Sequence, residues 1–122
     1  MSEINYRNIV FSGATPATYH PVGHIDMSGF NALSVQGDVI SVSGTPTSLN
    51  ITLIEAGTPG MGAETGTLPL STAPTAGQAE VLLFAPPSDY LGKRYVQLKL
   101  TLAAGSGSPS IHCDLIVAPI NV

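Results

Sequence analysis

Residues 94–103 read RYVQLKLTLA, and the fold turns on how this stretch is interpreted. Val96, Leu98, Leu100 and Leu102 fall on one side of it, with Gln97, Lys99 and Thr101 on the other. That is the period of two expected where a β-strand buries one face and leaves the other to solvent. An amphipathic helix would need its apolar residues three or four apart. The apolar row therefore faces a core, and the core needs a second layer to close it.

Working outward, residues 110–118 (SIHCDLIVA) repeat the alternation, with Ile111, Cys113, Leu115 and Val117 set against His112, Asp114 and Ile116. The linker AGSGSP between the two runs offers glycines and a proline for a turn, so the pair reads as an antiparallel hairpin. Upstream, SLNITLIE (48–55) places Leu49, Ile51 and Leu53 inward and Asn50 and Thr52 outward. AEVLLFA (79–85) is a shorter, more apolar strand that ends at the turn PPSD. NALSVQGDVISVSG (31–44) reads as one long strand interrupted near Gly37 by a bulge or bend, because glycine tolerates unusual backbone angles. NIVFS (8–12) and VGHIDM (22–27) complete the set, and TLPLS (67–71) is a weaker addition.

Ten prolines and thirteen glycines leave little room for helical turns. Seven to nine short strands with turns between them, and no helices to cross over, indicate an all-β, antiparallel sandwich of jelly-roll type in a single domain. Residues 1–12 form an N-terminal arm and first strand, and residues 13–122 form the sandwich. Residues 56–78, rich in Gly, Thr, Ala and Pro, form a long loop of the kind that is usually functional or mobile.

Composition narrows the function. Only 10% of the 122 residues are charged, 43% are apolar, and the formal net charge is −4. Four Lys plus Arg cannot neutralise many phosphates, so no nucleic-acid partner is expected. No run of about 18 apolar residues could span a bilayer as a helix, and no membrane partner is expected. The start MSEINYRNIVF lacks the basic and apolar regions of a signal peptide, and the single cysteine, Cys113, has no intramolecular partner; both point to folding in a reducing cytoplasm.

Motifs for chemistry are sparse, and no catalytic, cofactor or metal site is expected. His20 and His24 have the spacing of half a zinc site, but His112 and Cys113 point to opposite faces of their strand and cannot complete it. No serine lies in a strand–turn–helix elbow, and the eight acids are scattered singly. The glycines of GTPGMGAETG match neither dinucleotide nor P-loop spacing. Asn50 opens an N-I-T triplet, which reads as outward polar strand positions where no secretory signal accompanies it. Tryptophan is absent and the four tyrosines are dispersed, which argues against a stacked aromatic platform for sugars.

The order SLNITLIEA, a long Gly/Thr/Ala loop, GQAEVLLFAPPS, then GKRYVQLKLTLAAGSGSPSIHCDLIVAP resembles the small jelly-roll cement, or decoration, proteins of tailed-bacteriophage heads. The resemblance covers residues 30–122, and the N-terminal stretch SGATPATYHPVGHIDMSGF has no counterpart in it. It implies a structural, non-enzymatic protein on the capsid exterior that bridges subunits of the major capsid protein and acts as a homodimer or homotrimer. The contact residues expected for that role are Ile4, Tyr6 and Arg7 in the N-terminal arm, with Lys93 and Arg94 at the mouth of the strand that follows. The alternative carried beside it is a carbohydrate-binding jelly roll of a phage tail or baseplate, using an exposed tyrosine such as Tyr19 or Tyr90. A small hydrolase on the same scaffold is a third reading, and it needs a histidine beside a serine or carboxylate in a pocket.

Overall fold

A computed structural model describes residues 3–13, 16–21, 23–55, 64–85, 95–104 and 107–122. Among these the secondary structure is nine strands: β1 (Ile4–Ser12), β2 (Ala17–Tyr19), β3 (Ile25–Asp26), β4 (Ala32–Ser43), β5 (Pro46–Glu55), β6 (Glu64–Pro69), β7 (Ala79–Phe84), β8 (Tyr95–Ala104) and β9 (Ser110–Ile120). One sheet has the order β1-β9-β4-β7, and the other β2-β8-β5-β6 with β3 also on β8. Every pairing is antiparallel. The chain pairs first with last and works inward: β1 with β9, β2 and β3 with β8, β4 with β7, β5 with β6. This is a long hairpin rolled into two sheets, the jelly roll.

The alternations predict the buried faces. Val96, Leu98, Leu100 and Leu102 of β8 are buried, as are Ile111, Cys113, Leu115 and Val117 of β9 and Leu49, Ile51 and Leu53 of β5. Together with Leu33, Val35 and Phe84 they fill the space between the sheets. Each such side chain contributes roughly 1.5–3 kcal/mol of burial free energy, so the two-sheet arrangement dominates stability.

Five expectations need correction, four of them in strand pairing and connection and one in the facing of a side chain. First, β8 and β9 are not a hairpin: β8 pairs with β5 and β2, whereas β9 pairs with β1 and β4 in the opposite sheet. Their apolar rows meet across the core, and alternation alone cannot distinguish a neighbour beside a strand from one facing it. Second, β4 runs in regular register at Gly37, opposite Leu115 and Glu80, and the irregularity lies between Val39 and Ser41. There the Val39 amide donates to the Gln78 carbonyl at 2.8 Å and the Val39 carbonyl accepts from Gly77 at 2.8 Å, which extends the β4–β7 ladder beyond β7 itself. Third, the region 56–78 is not one loop, because β6 adds to β5 from Asn50 opposite Pro69 to Ile54 opposite Glu64. Fourth, Ile4 and Tyr6 do not lie in a free arm; they sit in β1, opposite Val117 and Leu115, and pack half-buried on the core.

Thr52, expected to face outward, is 4% exposed, and its hydroxyl meets that of Thr67 at 2.9 Å. Ile54, on the same side of β5, is also buried. Gly44 at the β4–β5 corner has φ 76°, and a Cβ there would lie 3.4 Å from the Pro109 Cα in the β8–β9 connection. A side chain at that corner would be strained by the backbone angle and crowded by the opposite connection.

Candidate interaction surface

The outer face of the β1-β9-β4-β7 sheet carries most of the exposed large apolar side chains among the described residues. Val10 on β1, Ile40 on β4, and Val81 and Leu83 on β7 are 63%, 44%, 63% and 44% exposed. The pairing register surrounds them with small or neutral polar residues. Ala118, Ser34 and Leu83 form one row across β9, β4 and β7; Ile116, Gln36 and Val81 form the next. Ser110 and Ser43 pair at the far end. A low-charge face of this kind costs little to desolvate against another protein.

Within the described strands, the charges on that face gather around Asp114, Asp38 and Arg7. Asp114 on β9 lies directly opposite Asp38 on β4, a like-charge arrangement that destabilises a sheet unless other groups compensate. The compensation comes from both sides. The Asn8 backbone N–H donates to Asp114 Oδ1 at 2.7 Å, Arg7 Nη1 approaches Asp114 Oδ2 at 4.0 Å, and Gln36 Nε2 donates to Asp38 Oδ1 at 3.3 Å. The register of β1 shifts between Tyr6 and Ile9, and Asn8 takes φ 56°, a left-handed conformation that asparagine tolerates better than most residues. The bulge aims the Asn8 amide at Asp114, and the Asn8 side-chain Oδ1 meets His112 Nε2 at 3.1 Å.

The bulge also separates the expected contact residues. Arg7 lies on the outer face, with its side chain 69% exposed, beside Asp114. Ile4 and Tyr6 face inward, and burial raises the Tyr6 hydroxyl above its usual pKa. Lys93 and Arg94 lie outside the described residues, as does Tyr90. Tyr19 stacks on Phe11 with ring centroids 5.6 Å apart and packs half-buried against the core, so it offers no free platform for a sugar. The sequence reading gave no contact role to Asn8, His112 and Asp114, or to the apolar pair Val81 and Leu83. The alternation of β9 does place His112 and Asp114 outward, and the bulge that joins them to β1 has no sequence signature beyond an asparagine.

A cleft of about 360 Å³ opens at one end of the sandwich, lined by Ile4, His24, Asp26, Ser28, Phe30 and Pro119 among others. Asp26 Oδ1 accepts the Ser28 N–H at 2.9 Å, a local turn that fixes the carboxylate. The His24 ring lies tilted beside Tyr95, centroids 6.4 Å apart. Cys113 is buried between the sheets, and desolvation, helped by the neighbouring Asp114 charge, pushes its thiol up to about 12. A thiol so placed is a poor nucleophile and a poor metal ligand.

No family model matches this chain, and no curated protein matches it in sequence. Solved structures do share its fold. A chain from a structure of infectious bursal disease virus, Gt strain, superposes with a TM-score of 0.53 at 18% identity, over 95% of this chain and 32% of that one. The corresponding chain of the Gx strain gives a TM-score of 0.51 at 18% identity over the same shares. A chain from Bacillus endospore appendages, described as disulfide-linked pili, gives 0.41 at 12% identity, over 98% of this chain and 89% of that one. This chain thus spans about a third of the length of the viral chains it matches, and what it shares with them is the two-sheet β fold.

Proposed function

We propose that this protein is a structural virion component that binds the outer surface of a tailed-phage head and bridges neighbouring major capsid subunits. The observation that carries the reading is the outer face of the β1-β9-β4-β7 sheet, where Val10, Ile40, Val81 and Leu83 stand exposed among serines and other low-charge residues. Such a face gains from apolar contact and shape complementarity, while Arg7, Asp38 and Asp114 at its centre set register. The fold shared with chains from virus structures supports the same reading, as does the resemblance of residues 30–122 to phage cement proteins. The protein does this without catalysis, as a homo-oligomer whose many modest contacts sum to tight binding. Its place is the capsid exterior, after assembly in the host cytoplasm.

The test mixes purified protein with undecorated, expanded capsids of its own phage. Stoichiometric co-sedimentation, together with a rise in the temperature at which heads rupture, is expected. Failure to bind any form of that capsid refutes the reading.

A further inference from the structure

The two sheets end in four edges, and three of them are blocked against the addition of another strand. At β1 the shift between Tyr6 and Ile9, the left-handed Asn8 and the exposed Arg7 break the ladder, and the Asn8 amide is turned onto Asp114. The edge formed by β2 and β3 is two short pieces of three and two residues, separated by a connection containing Gly23 at φ 101°. The β6 edge has a register shift opposite Leu53 and Ile54 and ends in Pro69, which has no amide to donate. Bulges, short strands, charges and prolines are the devices by which edges are protected from pairing.

The β7 edge has no bulge and no proline between Ala79 and Phe84, and its single charge is engaged within the chain. Ala79 to Phe84 pair with Asp38 to Leu33 in unbroken register on one side, and among the described residues no strand pairs with the other. Its outward side chains are Ala79, Val81 and Leu83, and its one charged residue, Glu80, is held by the Ser71 N–H at 2.8 Å and Gln78 Nε2 at 3.2 Å.

We propose that β7 is a homodimer edge, at which β7 of a second copy of this chain pairs antiparallel about a two-fold axis through Leu82. This inference rests on the homo-oligomer reading above and draws on Val81 and Leu83 of the same outer face. The pairing is self-complementary. Val81 of each copy sits opposite Leu83 of the other on the outer face, Leu82 faces Leu82, and Glu80 faces Phe84. Because the register preserves side-chain parity, the exposed apolar pairs of the two copies merge into one stripe across an eight-stranded sheet. The two Glu80 carboxylates stay apart: four residues at about 3.4 Å and one strand spacing of about 4.8 Å place them roughly 14 Å from each other. That exceeds the Debye length of about 8 Å at physiological ionic strength, so like charge does not oppose the contact. The interface is isologous, and such contacts close at two copies.

Sedimentation or light scattering of the isolated protein reads the outcome. The native chain is expected at twice its 12.5 kDa mass, and Val81→Lys/Leu83→Lys at single mass, with its dimer dissociation constant raised at least a hundredfold. Both positions are solvent-exposed, so the double variant should keep its circular dichroism, while its melting temperature loses the concentration dependence that dimerisation gives the native chain. The single Val81→Lys change gives the same direction with less risk to folding. A Val81→Cys/Leu83→Cys chain should oxidise to a covalent dimer. A native chain that stays monomeric to millimolar concentration overturns the proposal. So does a trimer, and so does a dimer that survives both lysines and resists cross-linking. Loss of capsid decoration by the lysine variant from a protein already monomeric would assign β7 to the capsid and also overturn it. A dimer that dissociates as expected but binds no capsid leaves this proposal standing and refutes the functional one.

Discussion

Cys113 gives a prediction whose size follows from its place in the fold. Its side chain points between the sheets from β9, the strand that joins β1 to β4, and is 1% exposed. Desolvation and the Asp114 charge push the thiol up to about 12 from an ordinary value of 9.0. The folded state favours the neutral thiol, so the contribution to stability is fully present below about 9.0, where the unfolded thiol is also neutral. It is lost as pH rises through about 12, because only the unfolded chain can release the proton in that window. The gap corresponds to about 4 kcal/mol when fully lost, and about 3 kcal/mol of it should be gone by about pH 11. Urea melts of the native chain and Cys113→Ala between pH 7 and pH 11 measure it. The native curve should fall more steeply than the variant's above pH 9, and the difference isolates Cys113 from Tyr6, whose hydroxyl is also raised by burial. Labelling with iodoacetamide at pH 8 supplies the kinetic half: a thiolate population roughly a thousandfold below that of a free thiol should make alkylation track global unfolding. Rapid labelling of the folded protein, or parallel pH curves for the two chains, would refute the placement of Cys113 in a dry inter-sheet core.

Three further outcomes follow from the geometry. Asp114→Ala removes the acceptor of the Asn8 amide and the partner of Arg7, and should cost about 1–3 kcal/mol in urea melts. Amide exchange should rise at residues 6–9 first, because the bulge has lost its clamp. Asn31→Ala removes a reciprocal pair, in which the Val122 N–H donates to Asn31 Oδ1 at 2.9 Å and Asn31 Nδ2 donates to the Val122 carbonyl at 3.2 Å. It should raise amide exchange at residues 121 and 122 while shifting global stability by less than about 1.5 kcal/mol. Arg7→Ala should leave stability within about 0.5 kcal/mol, since its pairing with Asp114 is long and exposed, and under the proposed function it should weaken capsid binding and reduce its salt dependence.

The single-residue alternations in β5, β8 and β9 made the all-β class and the buried rows readable from the sequence, because a strand with one dry face must repeat every second residue. The same logic set His112 and Asp114 outward. What alternation does not encode is which strand lies beside which. Leu102 and Ile111 are close in the chain and both buried, yet they belong to opposite sheets, and only the pairing of β8 with β5 and of β9 with β4 decides this. The strand β6 was faint for a related reason: it is short, ends in Pro69, and is held by the ladder to β5 rather than by local propensity.

The candidate interaction surface depends still more on tertiary structure. Val81 and Leu83 lie in an apolar run, AEVLLFA, whose composition suits a strand buried on both faces, and their exposure arises because β7 is the last strand of its sheet. Asp114 lies more than a hundred residues from the adjacent Arg7 and Asn8 in the chain, as the separation of 106 between Asn8 and Asp114 shows, and they meet only because first and last strands pair. Composition and period thus determined the class of fold and the identity of its core. Strand order, through backbone hydrogen bonds between distant segments, decided which faces stay open and which edges stay free.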